Sequence, residues 1–502
     1  MKKIFFALSL LLGAFGTVAA QDVDQSLPEF SITTLDVAGQ MHFLASDFLQ
    51  GRRTGSQGNV IAAEYIAAQL RAYGYTPING ESYFQDVPMV EQSAPTTGKF
   101  MAGDFSFTQG KDLLFLTGPA AAADADVVFA NYGWVDEESG HNDYDGLNVK
   151  GKIVVTRPGI PGDAGQRGIF RGMREKATMA ADAGAVAVVE LYLVPFPWQN
   201  FKAYVGGKRM TLDAGTEGAP IPYGFVKAGD AFLPALQAKK KGLKGAMSSS
   251  GMKKTKVMSR NVGGILAGSD PALKDEYMLM TAHFDHVGTG KQGGGNYTEQ
   301  DSIFNGARDN AFGTISLLQA AKAFAKQPPR RPVIILAVTG EEMGLLGSAY
   351  YADNPLVPLE KTIFNFNTDG GGYNTTEAIS LIGANRTGID PQVDAAASAF
   401  GLTVIEDPAP EQGLYDRSDN VSFSAKGVPS LSFSPGMTGF DDTIMRYYHQ
   451  VTDNPETIDM DYLRLYCQSF TLAARLIADR DVVPFWAEGD KYEAVGKELY
   501  NK

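Results

Sequence analysis

Four short apolar runs, EYMLMTA, PVIILAVTG, KTIFNFNTD and VPSLSFS, alternate with helix-period segments in the second half of this chain, and this alternation restricts the fold more than any other feature. Each run has the length of a strand and is rich in apolar residues. Such strands, joined by helical stretches, make an α/β architecture with a mixed, mostly parallel sheet flanked by helices. Three of the runs stop at residues with metal-binding chemistry: His283 follows the first, Glu341 and Glu342 follow the second, and Asp369 closes the third. Open α/β sheets hold ligands beyond the carboxyl ends of their strands, so these ends are predicted to converge.

The rest of the chain reads differently. At 502 residues and 44% hydrophobic it has material for more than one core. Between 121 and 258 the pattern changes to runs such as ADVVFA and GKIVVTRPG, followed by KATMAADAGAVAVVELY and a basic KKTKVMSR. This reads as an inserted β-rich α/β domain. It interrupts a domain made of 21–120 and 259–502. Ahead of it, a Gly/Arg/Ser-rich turn region leads into a helix with Ala62, Ile66, Leu70 and Tyr73 at helical spacing. Residues 1–20, MKKIFFALSLLLGAFGTVAA, carry Lys2 and Lys3, an apolar stretch and small residues at the end, the form of a secretory signal peptide. An exported, periplasmic or extracellular protein is the expectation.

Loss of that segment removes two lysines and no acid, taking the formal charge from −13 to −15. Nucleic acid and anionic membrane are poor partners for such a chain. The single cysteine, Cys467, sits in an apolar helix-like run, so there is no internal disulfide and the thiol reads as a small core residue. There is neither a G-x-S-x-G elbow nor a phosphate-binding G-x-x-x-x-G-K-[ST] loop.

Only five histidines are present, and three of them fall in the polar segments TAHFDHVG (His283, His286) and YYHQVTDNP (His449). In the H-x-D step, Asp285 can accept the second imidazole N–H of His283 and fix its tautomer. In NGARDNAFGT, Asp309 and Asn310 precede a helix expected over about 313–324; helix capping is the ordinary use of such residues, and Asn310 can cap while Asp309 binds metal. Two adjacent glutamates, Glu341 and Glu342, end an apolar strand. Crowded anions raise one another's pKa, which suits a general base beside a metal. His283, Asp309, Glu342, Asp369 and His449 form an oxygen and imidazole set suited to zinc, with cobalt or manganese as substitutes. Two ions sharing one carboxylate match the count.

Taken together, HFDH at 283–286, NGARDN at 305–310, GEEMGLLGS at 340–348, NTDG at 367–370 and YHQ at 448–450 resemble the zinc aminopeptidase and glutamate carboxypeptidase family of co-catalytic metallopeptidases. The resemblance implies two zinc ions per chain and a peptide substrate. Asp309 would bridge the ions, His283 and Asp369 would complete one site, and Glu342 and His449 the other. It makes Glu341 the general base and places Tyr448 to hydrogen-bond a developing oxyanion. The inserted segment, with GKIVVTRPG, Lys176 and AADAGAVAVV, resembles a protease-associated domain.

An aminopeptidase is the leading expectation. A carboxypeptidase or dipeptidase on the same site, or an inactive binding protein, are the alternatives. Two departures from the family pattern, Phe312 and Asn420, are expected to reshape the substrate pocket. Arg308 reads equally as a surface charge or a substrate contact, and the GGG runs at 293–295 and 370–372 read as mobile loops near the site.

Overall fold

The computed structural model describes residues 23–194, 196–213, 215, 218–239 and 242–502; the segment read as a signal peptide lies outside them. Two compact units are formed, one from the chain up to Gln85 together with Arg260–Lys502, the other from Asp86–Ser259.

The first unit is built on a sheet whose main strands there are β1 (Lys253–Leu266, which enters the unit at Arg260), β2 (Tyr277–His283), β3 (Val333–Val338), β4 (Thr362–Thr368), β5 (Ala378–Ile382), β6 (Thr403–Glu406) and β7 (Ser430–Pro435). They lie in the order β1-β3-β2-β4-β7-β5-β6. The central strands β3, β2, β4 and β7 run parallel, while β1 and β5 are antiparallel to their inner neighbours. The four apolar runs are thus the four parallel strands. Every residue of β3, β4 and β7 is buried, which requires cover on both faces of the sheet.

That cover is divided by strand alternation. Met278, Met280 and Ala282 of β2 join one core with helices α1 (Thr34–Leu44), α2 (Gln57–Ala72), α3 (Phe312–Lys326) and α4 (Met460–Ala478), whereas Leu279 joins Ile334, Leu336 and Val338 of β3 in a core on the other face. Helix α1 starts at a capping box in which Thr33 and Asp36 satisfy each other's backbone N–H groups. Ala62, Ile66 and Leu70 form the buried face of α2. Cys467 is fully buried in α4, its Sγ 3.4 Å from Ser316 Oγ. Among the described residues no helix is long and apolar enough to cross a membrane.

The second unit is also α/β. Leu113–Thr117, Tyr223–Val226, Ala187–Leu191, Ile153–Thr156 and Val127–Phe129 form a five-stranded, mostly parallel sheet. Phe105–Thr108, Gly98–Ala102, Gly245–Ser249 and Ala121–Asp124 form an antiparallel one. The unit therefore begins at Asp86, ahead of the expected 121, because strands 98–102 and 113–117 find their partners at 245–249 and 223–226. Its interior holds an ion pair: Lys176 Nζ lies 2.5 Å from Glu190 Oε2 and 2.7 Å from the Arg157 carbonyl, with both side chains fully buried. Burial pushes Glu190 up and Lys176 down, and their mutual attraction opposes both shifts. Removing one partner leaves a buried charge uncompensated. Lys176→Met should destabilise this unit by about 3–5 kcal/mol in urea unfolding, and Lys176→Met combined with Glu190→Leu should recover most of the loss.

Candidate metal centre

Parallel strands deliver their carboxyl ends to one edge of the sheet, and the predicted residues meet there. His283 is the last residue of β2, Asp369 follows β4, and the turn after β3 brings Glu341 and Glu342. The loop after β7 supplies Tyr448 and His449, the latter in a left-handed backbone conformation at φ 53°. Asp309 sits in the distorted turn ahead of α3, where the Asp309–Asn310 peptide is cis. Asn310 accepts a hydrogen bond from the Gly313 N–H at 2.9 Å, so it serves the helix start while Asp309 faces the centre.

Two sets of donors form. In one, His283 Nε2 lies 3.1 Å from Asp369 Oδ1 and 3.4 Å from Asp309 Oδ1. In the other, His449 Nε2 lies 3.1 Å from Asp309 Oδ2 and 3.0 Å from Glu342 Oε2. One carboxylate thus offers an oxygen to each set. In a tetrahedral site with ordinary zinc bond lengths the donors stand roughly 3.3 Å apart, so these separations fit a cation in each set. Glu341 stands apart, its Oε2 4.0 Å from His283 Nε2. His286, which the sequence reasoning did not assign, closes on Glu342 with Nδ1 2.6 Å from Oε1. His286, Asp309, Glu342 and His449 make one possible metal-holding cluster, and His283, Glu341 and Asp369 another.

The charges need compensation. Burial alone would lower His283 and His449. The carboxylates around them outweigh it, holding His283 well above its usual range and His449 at about 10. Glu341 is raised well above the carboxylate range by burial, reinforced by Asp369, Glu342 and Asp419, with His283 opposing. For Glu342, burial and Asp309 push upward, yet the neighbouring imidazoles bring it to about 2. Such a set of nearly enclosed anions and imidazoles, without a thiolate, is a fit for hard or borderline divalent cations.

Supporting contacts differ in part from expectation. The nearest acceptor for His283 Nδ1 is the Asp285 carbonyl at 3.2 Å; the Asp285 carboxylate is 3.8 Å away. That carboxylate accepts instead from the Thr54 hydroxyl (2.8 Å) and the Glu341 backbone N–H (3.2 Å), so it anchors the turn of the glutamates. Ser418 donates to Asp369 Oδ2 at 2.5 Å. Arg52, fully buried, donates to the carbonyls of Leu44, Phe284, Asn305 and Gly306. Arg308 is not a surface charge, and it is not among the residues lining the cavity beside the donors. Its guanidinium is buried against Asp453 at 2.9 Å and stacks 3.6 Å from the Tyr447 ring, and the same aspartate accepts from the Arg308 N–H. This clamp joins the Asp309 turn to the His449 loop.

A cavity opens beside the donors, bounded by Ile382, Leu414, Arg417, Met437, Phe440 and Tyr448. Arg417 lies 3.2 Å from the Tyr448 hydroxyl. Phe312 and Asn420 do not line it: Phe312 packs in the core against Tyr466, and Asn420 is buried, donating to the Tyr415 carbonyl. Both glycine runs abut the His449 loop. A Cβ on Gly295 would come within 2.3 Å of the His449 carbonyl, and one on Gly371 within 2.5 Å of the Tyr448 ring.

Comparison with known proteins points the same way. Residues 261–470 match the model of peptidase family M28. The vacuolar membrane protease of Saccharomyces cerevisiae S288c is 34% identical over 199 residues, which is 39% of this chain and 18% of the yeast protein. Aminopeptidase YwaD of Bacillus subtilis is 27% identical over 212 residues, 42% of this chain and 43% of that protein. The matches therefore span less than half the length of these relatives. In fold, the chain is similar to the aminopeptidase from Aneurinibacillus sp. strain AM-1 (TM-score 0.56, 20% identity, 93% of this chain and 97% of that one). It is also similar to BSAP, a zinc aminopeptidase from Bacillus subtilis (TM-score 0.50, 19% identity, 92% and 97%).

A cation bound by the folded chain alone stabilises it by mass action, about 2.7 kcal/mol at a hundredfold excess over Kd. Zinc added to chelator-stripped protein should therefore raise the thermal unfolding midpoint. Asp309→Asn should blunt that rise in differential scanning calorimetry.

Proposed function

With residues 261–470 matching the model of peptidase family M28, we propose that this chain is an exported two-zinc metallo-exopeptidase, an aminopeptidase that releases N-terminal residues from peptides. The observation that carries the reading is the Asp309 carboxylate, which presents Oδ1 to His283 and Oδ2 to His449 while Glu341 stays outside both pairs of contacts. In this reading His283, Asp369 and Asp309 hold one ion, and Glu342, His449 and Asp309 the other; cobalt or manganese would be substitutes. Bound zinc supplies an electrophile for the scissile carbonyl and acidifies water.

The protein's own groups do the rest. Glu341, on the cavity wall, takes a proton from the attacking water and passes it to the leaving amine. Asp285 holds the Glu341 backbone, which keeps that carboxylate in reach of the cavity. The Tyr448 hydroxyl, beside Arg417, donates to the oxyanion that develops on the carbonyl. Burial, with Asp309 and Glu342 adding to it, raises the Tyr448 phenol, so it remains a donor at neutral pH.

An amine end is favoured over a carboxylate end by the lining of the cavity. Asp309, Glu341, Glu342 and Asp369 border it, and Arg417 is the single Lys or Arg side chain among its described lining residues. YwaD and both structural neighbours are named as aminopeptidases. None of the donors falls in Asp86–Ser259. That unit is read as the inserted protease-associated domain, which restricts access or binds partners, with the chemistry in the other unit.

Glu341→Gln should lower kcat by about 10²–10⁴-fold while zinc content, measured by inductively coupled plasma mass spectrometry, stays at two per chain. Undiminished turnover would remove Glu341 from the role. Digestion of a defined peptide, followed by mass spectrometry, should show loss of the first residue; loss of the last would establish the carboxypeptidase alternative.

A further inference from the structure

His286 is fully buried, and the fold makes room for it at a cost to the backbone. Gly306, at φ 62°, lies flat against the imidazole: a Cβ there would stand 2.6 Å from the ring's Cγ and Cδ2. Neither ring nitrogen of His286 has a directed hydrogen bond among the described residues, and Oε1 of Glu342 has none either. Yet Nδ1 and Oε1 are 2.6 Å apart, nearer than the other imidazole–carboxylate pairs of the centre. A buried polar atom without a partner is costly, so two of them this close point to one shared interaction that a small ring rotation completes.

Which oxygen His286 faces decides its role. Oε2 of Glu342 is the atom beside His449 Nε2, at 3.0 Å, and Asp309 Oδ2 is the third member of that set. His286 Nδ1 addresses the opposite oxygen, and its distance to Asp309 Oδ2 is 4.0 Å, beyond the donor spacing seen between His449 and its two carboxylates. An imidazole placed as a ligand would face the same point as the other three donors. One placed to restrain a carboxylate would take its remaining oxygen, as it does here.

We propose that His286 is a positioning residue of the centre, whose Nδ1–H holds Oε1 of Glu342 so that Oε2 alone is turned to the ion shared with Asp309 and His449. This rests on the two-zinc reading above. The bond needs the proton on Nδ1. The bond also fixes the side chain of Glu342 next to Glu341, so that the two adjacent glutamates keep separate tasks.

The test is zinc titration of the chelator-stripped full chain against a competing chromophoric chelator. Wild type should bind two equivalents. His286→Leu, which keeps bulk and removes the donor, should weaken one of the two by about 10–100-fold and leave the other unchanged. His286→Asn, whose amide N–H falls near the place of Nδ1, should restore most of that affinity. X-ray absorption at the zinc edge of the wild-type protein gives a second readout that needs no variant: two imidazoles per two ions are expected. Three imidazoles would make His286 a ligand and overturn the proposal, as would two unchanged affinities in His286→Leu. A wild-type chain that holds fewer than two ions would overturn the two-zinc reading itself, and His286's part with it.

Discussion

A carboxylate that answers to two partners at once organises this centre. Asp309 has one oxygen toward His283 and the other toward His449, residues that reach the site from β2 and from the loop after β7. Its placement depends on the Asp309 turn being held from outside, and the Arg308–Asp453 pair does this by tying the turn to the loop that carries His449. Removing the acid leaves two half-sites. Glu341, Glu342 and Asp369 are gathered against Asp309 with the imidazoles of His283 and His449 among them, a charge that a bound cation would offset.

Much of this was legible in the chain itself. Apolar-rich runs of strand length marked β2, β3, β4 and β7, and a polar residue after three of them marked the edge where a parallel sheet gathers its strand ends. Position along a strand is local information, and it survives folding. What was not legible depended on partners far away in sequence. Arg308 could not be read as buried before Asp453, 145 residues on, was seen beside it. The second unit's first strands looked like part of the preceding domain because their pairing partners lie more than a hundred residues later.

His286 shows the limit most clearly. It stands in the same quoted tetrapeptide as His283, but H-x-D-H assigns the imidazole and the aspartate without saying where the last histidine points. The signal that settles it is a glycine twenty residues on, Gly306, whose left-handed backbone leaves space for the ring. Asp285 carries a related lesson. Sequence spacing places it correctly beside His283, yet the folded chain turns its carboxylate to Thr54 and to the Glu341 backbone, so the aspartate supports the turn of the glutamates more directly than the imidazole.

Arg52 gives the arrangement a boundary that motif matching does not see. Its guanidinium gathers carbonyls from Leu44, Phe284, Asn305 and Gly306, segments on either side of the second unit. Thr54, which bonds Asp285, comes from the same short stretch. A piece of the chain beginning at residue 261 would retain every donor named here and still lack the cross-brace between the loops that carry them. The residues that form the candidate centre and the residues that brace it therefore come from both sides, in sequence, of a stretch of more than one hundred and seventy positions.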